Sequence, residues 1–209
     1  MSSKTRGTDC CCNTSRATHF ADLAVYWLAL VLGAIMTKQN KVKTNAMRLL
    51  DQYHIAYKTF TYPDTVHSAN EVAPLLGVSA DLVFKTLVVL ADESRHLLIL
   101  VPGNRELDLR MVAHAVGAKD ARMAPQREAE RLTGLKVGGI SPLALLDKHF
   151  EIYLDESGEK LDELYINGGQ RGINVLLRVA DLLTVTKAKV IHATSVPSND
   201  SQTMYHDES

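Results

Sequence analysis

One lysine interrupts an apolar stretch near the middle of the chain. Residues 83–90 read VFKTLVVL, and Lys85 is the charged side chain among them. The aliphatic and β-branched neighbours predict a buried strand. A charge in such a strand must be paired, lose its proton or face a cavity. Lysines facing cavities often hold anionic or carbonyl substrates, whereas an edge-strand lysine simply faces water, and the spacing alone leaves both roles open for Lys85.

Two glycine-rich bends are the second candidate for chemistry. Residues 138–142 read GGISP and residues 168–172 read GGQRG. Backbone amides in such bends can hold a carbonyl oxygen, a carboxylate or a phosphate, although turn geometry alone also explains paired glycines. Neither bend has the glycine and lysine spacing of a phosphate-binding loop or the dinucleotide-binding pattern.

The remaining reactive side chains exclude several kinds of site. Cysteine occurs at residues 10–12 and nowhere in the body of the chain, so a disulfide framework, a cysteine nucleophile or a cysteine-bound zinc is not expected there. The eight histidines form no metal-binding i, i+4 pair beside a carboxylate, and Ser141 lacks the nucleophile-elbow pattern. We therefore expect no metal or cofactor, and any reaction would need the substrate to supply its own nucleophile.

Composition predicts one soluble globular domain with extensions at both ends. The chain has 209 residues, 22% charged and 46% hydrophobic, and a net charge of -1. Residues 1–40 are expected to be an extension outside the domain, 41–194 the domain, and 195–209 a disordered polar tail. The apolar run at 23–36 is shorter than the roughly 20 residues that span a bilayer, and a secretory signal or a membrane-associating segment is the alternative interpretation. We expect a cytoplasmic protein without a stable membrane partner.

Hydrophobic periodicity and capping residues predict the elements that must position these groups. Predicted helices cover 46–53, 69–76, 108–116, 125–132 and 179–183, with a short helical stretch at 161–164. Predicted strands cover 57–62, 83–90, 96–101, 121–123, 151–154 and 173–177, with a turn at 155–158 and irregular chain at 185–188. Ser68 and Glu71 have capping-box spacing. Because helices and strands mix without strict alternation, we expect an α+β fold with a mixed or largely antiparallel sheet.

Four motifs together resemble the YbaK family of aminoacyl-tRNA deacylases, which is similar to the editing domain of bacterial prolyl-tRNA synthetase. They are VFKTL at 83–87, PGNRELDL at 102–109, GGISP at 138–142 and GGQRG at 168–172. Their order and separation match the family over about residues 44–190. The resemblance implies a single compact α+β domain, with a mixed, partly barrel-like sheet flanked by helices.

The resemblance also implies an activity and a site. The family removes cysteine from mischarged Cys-tRNA(Pro), and also from Cys-tRNA(Cys), so tRNA and prolyl-tRNA synthetase are the implied partners. The family's lysine corresponds to Lys85, which would anchor the substrate while the thiol of the bound cysteine attacks its own ester. The residues implied to contact substrate are Tyr62, Thr86, Gly138, Gly139, Ile140, Ser141, Asn167, Gly168, Gly169, Arg171 and Asn174.

The chain departs from the family at positions that bear on specificity. Relatives often carry serine where this chain has Asn167, aspartate where it has Asn174, and a longer loop with an aromatic residue after Tyr62. The two asparagines keep hydrogen-bonding capacity and lack a carboxylate. Deacylation of another mischarged tRNA, such as Ala-tRNA(Pro), and a non-catalytic module that binds tRNA or a synthetase therefore stand as alternatives. Attack by water is the alternative to attack by the substrate thiol.

Overall fold

The computed structural model describes residues 43–66, 68–92 and 94–195. The expected extension at 1–40, its apolar run and all of the expected tail except Ser195 lie outside these ranges. Within the described ranges, no helix is both long and apolar enough to cross a membrane.

The described chain is a mixture of short helices and strands. The helices are α1 (Asn45–Gln52), α2 (Ala69–Leu76), α3 (Leu109–Val116), α4 (Gln126–Thr133), α5 (Glu156–Glu159) and α6 (Val179–Thr186), with 3-10 turns at Ala80–Leu82 and Pro142–Ala144. The strands are β1 (Lys58–Thr61), β2 (Phe84–Ala91), β3 (Arg95–Pro102), β4 (Glu106–Leu107), β5 (Ala121–Met123), β6 (Glu151–Asp155), β7 (Glu163–Asn167), β8 (Ile173–Arg178), β9 (Lys189–Ile191) and β10 (Thr194–Ser195).

The largest sheet is mixed, as predicted. Its strand order is β5-β2-β3-β6-β9. The β2–β3 hairpin and the β2–β5 pair are antiparallel, while β3–β6 and β6–β9 are parallel. A second antiparallel sheet has the order β1-β8-β7, and β4 pairs with β10. The α+β prediction is confirmed, and the described strands lie in separate sheets without closing into a barrel.

Alternating side chains bury the large sheet on both faces. On β3, Leu98 and Leu100 pack in one cluster with residues of β7, β8 and α1. Leu97, Ile99 and Val101 pack in another cluster on the opposite face. Burial on both faces explains why this stretch reads as a continuous apolar run in the sequence.

The capping box predicted for Ser68 and Glu71 is confirmed, and other helix ends also carry local caps. Ser68 and Glu71 form the capping box at the start of α2, and Gly77 ends that helix in the left-handed conformation at φ +68°. Asp108 caps α3, and Gly117 closes it. Such signals depend on residues three or four positions apart, so the sequence contains all the information they need.

The region between residues 155 and 195 differs from the prediction. The expected helical stretch at 161–164 is wrong, because β7 begins at Glu163 and pairs with β8 through Leu164 opposite Leu177. The expected turn at 155–158 is mostly the short helix α5, and α6 continues through Thr186 into the stretch expected to be irregular. Neither β9 nor β10 was predicted, since each is too short for a periodic pattern and depends on a distant partner strand.

A buried carboxylate fixes the last of these strands. Asp155 is fully buried, and its Oδ1 accepts hydrogen bonds from the Ala193 amide at 3.1 Å and the Thr194 hydroxyl at 3.0 Å. Those bonds place β10 beside β4, where Thr194 lies opposite Leu107. Because β4 follows directly after residues 103–105, the Asp155 carboxylate helps to hold the loop formed by those residues in place.

The two glycine bends pack directly against each other. A Cβ added to Gly139 would lie 2.9 Å from the Arg171 amide nitrogen and 3.1 Å from the Gln170 carbonyl carbon. Both contacts are with backbone, which cannot move aside as a side-chain end can. The close approach of the two bends therefore requires glycine at position 139.

We expect Gly139→Ala to destabilise the protein by about 1–3 kcal/mol, the range for inserting a methyl group into a packed region. Thermal unfolding measures this effect. Val137→Ala is the matched control, because Val137 lies in the same bend and is 38% exposed, so its truncation should cost less than about 0.5 kcal/mol. Equal melting temperatures for the two variants would contradict the packing argument.

An ion pair between Arg95 and Glu151 joins β3 to β6. Arg95 Nε lies 2.7 Å from Glu151 Oε1, and the Tyr153 hydroxyl donates to Glu151 Oε2 at 2.7 Å. The Arg95 guanidinium lowers the pKa of Glu151 from 4.5 to about 2. The ionised form is thus favoured in the folded state, so the stabilisation is present above pH 4.5 and is lost as the pH falls from 4.5 to about 2.

Glu151→Gln should therefore lose stability at neutral pH and show a shallower decline of unfolding free energy between pH 4.5 and about 2. The Glu151 side chain is 41% exposed, so screening keeps the effect near or below about 1 kcal/mol. Chemical denaturation across this pH range measures it. Glu163→Gln, at the exposed start of β7, should follow the wild-type pH dependence, and a Glu151→Gln curve parallel to wild type would count against the pair.

Candidate functional site

A cavity of about 220 Å³ lies beside the first half of β2. Along β2, β5 pairs with residues 89–91 and does not extend to residues 84–87, and Tyr165 of β7 forms an isolated parallel bridge with Val83. The described residues that line it are Tyr62, Ser68, Ala69, Asn70, Val72, Val83, Phe84, Lys85, Thr86, Leu87, Gly103, Val137, Gly138, Ile140, Asn167 and Asn174. A cavity of this size has room for a small substrate group.

Lys85 is held at the cavity wall by backbone carbonyls. Its Nζ donates to the Arg105 carbonyl at 2.7 Å and to the Gly103 carbonyl at 3.2 Å. Burial lowers the pKa of Lys85, and the nearby Glu106 carboxylate opposes that shift. An ammonium carries three N–H donors, so one is left for a ligand after the two carbonyls are satisfied.

The loop that binds Lys85 is itself fixed by close contacts. The Gly103 amide donates to the Val83 carbonyl at 2.8 Å, and a Cβ on Gly103 would lie 2.8 Å from the Cβ of Ala69 in α2. Asn104 donates to Asp81 Oδ1 at 2.7 Å. The PGN motif at 102–104 could not be placed at the site from sequence, since its role depends on the fold of the β2–β3 hairpin.

Asn167 joins the two glycine bends beside the cavity. Its Nδ2 donates to the Gly138 carbonyl at 2.8 Å, and its Oδ1 accepts from the amides of Gly169 at 2.8 Å and Gln170 at 3.1 Å. The Arg171 Nε donates to the Val137 carbonyl at 2.7 Å across the same junction. Asn167 therefore holds the two bends together through its Oδ1 and one of its two Nδ2 N–H groups.

The glycine amides are mostly committed to structure. The Gly139 amide donates to the Lys136 carbonyl at 2.8 Å, and the Gly168 amide donates to the Ile173 carbonyl at 2.9 Å. Gly138 lines the cavity, and no partner for its amide is found among the described residues. Both amides of the Gly138-Gly139 pair were expected to be able to contact a carbonyl oxygen. In the described structure the Gly138 amide is free to do so, and the Gly139 amide is already bonded.

Some of the predicted site residues line the cavity, and others do not. Those that line the cavity are Tyr62, Lys85, Thr86, Gly138, Ile140, Asn167 and Asn174. Those that do not are Gly139, Ser141, Gly168, Gly169 and Arg171. The second group packs the bends or, like Arg171, holds them from outside. Ala69, Asn70 and Gly103 also line the cavity and were not predicted from sequence; the nearest signals were the α2 cap and the PGN motif.

Tyr62 and Asn174, which both line the cavity, are hydrogen-bonded to each other. The Tyr62 hydroxyl donates to Asn174 Oδ1 at 2.9 Å. Burial raises the pKa of Tyr62 to about 12, so the phenol stays protonated at neutral pH. Thr86 also lines the cavity, and its buried Oγ1 has no hydrogen-bond partner among the described residues.

The side chains that line the cavity can position a substrate through one cation and several hydrogen-bond donors. The described lining contains one charged side chain, Lys85, and neither a thiol nor a carboxylate. Within the described residues there is no group of three or more His, Cys, Asp or Glu side chains arranged to hold a metal. A substrate with a labile bond and its own nucleophile suits this arrangement.

Comparisons with known proteins agree on one family. The family model described as the aminoacyl-tRNA editing domain matches residues 63–185. EbsC of Enterococcus faecalis, provisionally named a Cys-tRNA(Pro)/Cys-tRNA(Cys) deacylase, is 33% identical over 160 residues, which are 76% of this chain and 97% of EbsC. The proline–tRNA ligase of Shouchella clausii is 34% identical over 105 residues, which are 50% of this chain and 18% of the ligase.

Solved structures show the same fold. A protein provisionally described as a trans-editing enzyme for prolyl tRNA synthetase superposes with a TM-score of 0.63 at 27% identity, covering 72% of this chain and 95% of that one. The hypothetical protein APE2540 superposes with a TM-score of 0.68 at 24% identity, covering 73% of this chain and all of the other. The resemblance to the YbaK family is confirmed. With the family model spanning more than half of the sequence and EbsC matched along nearly its whole length, the chain belongs to the aminoacyl-tRNA editing domain family.

Proposed function

We propose that this protein removes cysteine from mischarged Cys-tRNA(Pro), and also from Cys-tRNA(Cys), without the help of a protein nucleophile. The cavity beside Lys85 carries the proposal: it is small, holds one fixed cation, and has neither a thiol nor a carboxylate in its described lining. The provisional name of EbsC and the likeness to prolyl-tRNA synthetase support this choice of substrate.

The proposed reaction is an intramolecular acyl transfer. The substrate thiol sulfur attacks the ester carbonyl carbon, so a carbon–sulfur bond forms while the carbon–oxygen bond to the ribose breaks. The thiol proton passes to the departing ribose oxygen. The products are a cysteine thiolactone and a tRNA with a free terminal hydroxyl. Lys85 holds the ester or the terminal ribose in the reactive geometry, which is the contribution that positioning alone can make.

The partners and the cellular site follow from the substrate. The acceptor end of tRNA must enter the cavity, and prolyl-tRNA synthetase is the proposed supplier of the mischarged tRNA. The chain has a net charge of -1, so it offers little overall attraction for a polyanion, and a synthetase partner would compensate by presenting the tRNA. The proposed place of action is the cytoplasm.

The first test replaces the lysine. Lys85→Met removes the cation and keeps most of the side-chain length, so we expect the single-turnover rate of Cys-tRNA(Pro) deacylation to fall by about 10²-fold or more. The matched control is Lys148→Met, because Lys148 also donates to two backbone carbonyls, at 2.7 Å and 3.2 Å, but lies outside the cavity. The control should retain the wild-type rate.

Each result of this assay has a defined meaning. Wild-type rates for Lys85→Met would refute the anchoring role of Lys85. Cleavage of Ala-tRNA(Pro) in preference to Cys-tRNA(Pro) by the wild-type protein would favour the alternative substrate. Binding of tRNA without release of any amino acid would identify a non-catalytic module instead.

The second test asks which group attacks the ester. Ser-tRNA(Pro) presents a hydroxyl in place of the thiol, and a hydroxyl is the weaker nucleophile, so we expect it to be cleaved at least about tenfold more slowly. Mass spectrometry of the released acyl product, under conditions that trap thiolactone, measures the route directly. Equal rates for serine and cysteine, with free amino acid as the first product, would establish attack by water.

A further inference from the structure

The orientation of the Asn174 side chain determines what it presents to the cavity. Its Oδ1 accepts the hydrogen bond from the Tyr62 hydroxyl at 2.9 Å. Occupation of Oδ1 turns the Nδ2 group, with two N–H donors, away from Tyr62. Asn174 is 3% exposed and lines the cavity, and no acceptor for its Nδ2 is found among the described residues. The side chain therefore offers a donor to whatever occupies the cavity.

The other polar groups around this donor are cationic or neutral. Lys85 on β2 is the one charged side chain of the described lining. Burial lowers its pKa, and Glu106, which opposes that shift, is outside the lining. Tyr62 holds its proton at neutral pH. Asn167 is neutral, and its Oδ1 and one of its two Nδ2 N–H groups bond to Gly138, Gly169 and Gln170. The described residues that line the cavity thus include no carboxylate with which an ammonium could pair.

The charges of the lining side chains affect which protonation state of an aminoacyl ester's amino group can bind. An α-amino group titrates near a pH of about 7.7–8.0 in peptides, so both of its forms occur near neutral pH. The charged form would meet the Lys85 ammonium in a partly desolvated space, which disfavours it. The uncharged form has a lone pair that can accept a hydrogen bond from Asn174 Nδ2.

We propose that the cavity binds the aminoacyl group with its α-amino nitrogen uncharged, and that Asn174, oriented by Tyr62, is the residue that selects this form. The inference rests on the proposed function for the identity of the ligand. It adds a specificity-determining role for Asn174 that follows from the hydrogen bond with Tyr62 and from the charges of the described wall.

The test measures equilibrium binding, so it does not depend on turnover. One probe is an adenosine carrying cysteine through a stable 3′-amide, and the other is the same compound with 3-mercaptopropionyl, which lacks the amino group. For wild type, the Kd of the cysteinyl probe should rise by up to about tenfold per pH unit below the pKa of its amine. The Kd of the deaminated probe should change little over the same range, so that it becomes the tighter ligand at low pH.

Two variants assign this preference to the named residues. Asn174→Asp keeps the acceptor for Tyr62 and replaces the N–H donor by a carboxylate oxygen, so it should reverse the preference and bind the cysteinyl probe more tightly than the deaminated one below pH 7. Tyr62→Phe frees the Asn174 amide to rotate, and should reduce the difference between the probes. Unchanged thermal unfolding would show that both variants remain folded.

Tighter binding of the cysteinyl probe by wild type at low pH would overturn the proposal. So would identical pH profiles for wild type and Asn174→Asp, or failure of both probes to bind at any pH. Failure of the proposed function is distinguishable from these results, since it would appear as an absence of Cys-tRNA(Pro) deacylation by a protein that still binds the probes with the expected pH dependence.

Discussion

The need to satisfy the ammonium of Lys85 within an apolar strand constrains much of the surrounding structure. A half-buried charge is tolerated when hydrogen-bond acceptors replace the water it has lost. Here the acceptors are the carbonyls of Gly103 and Arg105, so the chain after β3 must turn back over β2. That turn requires the close approach of Gly103 to α2, and the cavity lies beside the first half of β2.

A second set of contacts closes the opposite side of this cavity. Asn167 bonds to both glycine bends, and the contact of Gly139 with the backbone of residues 170–171 holds the bends together. The bends therefore act mainly as a rigid wall, and the Gly139 and Gly168 amides are occupied within it. A wall fixed in this way limits the size of the group that enters, which is how a site without a strong catalyst can still discriminate among substrates.

The proposed chemistry is consistent with this construction. An aminoacyl ester that carries its own thiol needs to be held in a reactive conformation more than it needs a protein nucleophile. Lys85 supplies a fixed cation, and the pair of Tyr62 and Asn174 supplies an oriented donor. The described cavity is thus built from groups that position and select, and these are the groups through which members of one family can differ in specificity.

The sequence by itself determined the local elements, the buried strand around Lys85 and the family. Capping residues such as Ser68 and the apolar alternation of β2 and β3 act over a few positions, so they can be identified without a partner. Only the tertiary structure decided that residues 163–167 form a strand, that Gly139 packs the bends rather than facing the cavity, and that Gly103 holds the lysine. The physical reason is that each of these outcomes depends on atoms distant in sequence: the pairing of β7 with β8, the meeting of two bends, and the return of a loop over a buried charge.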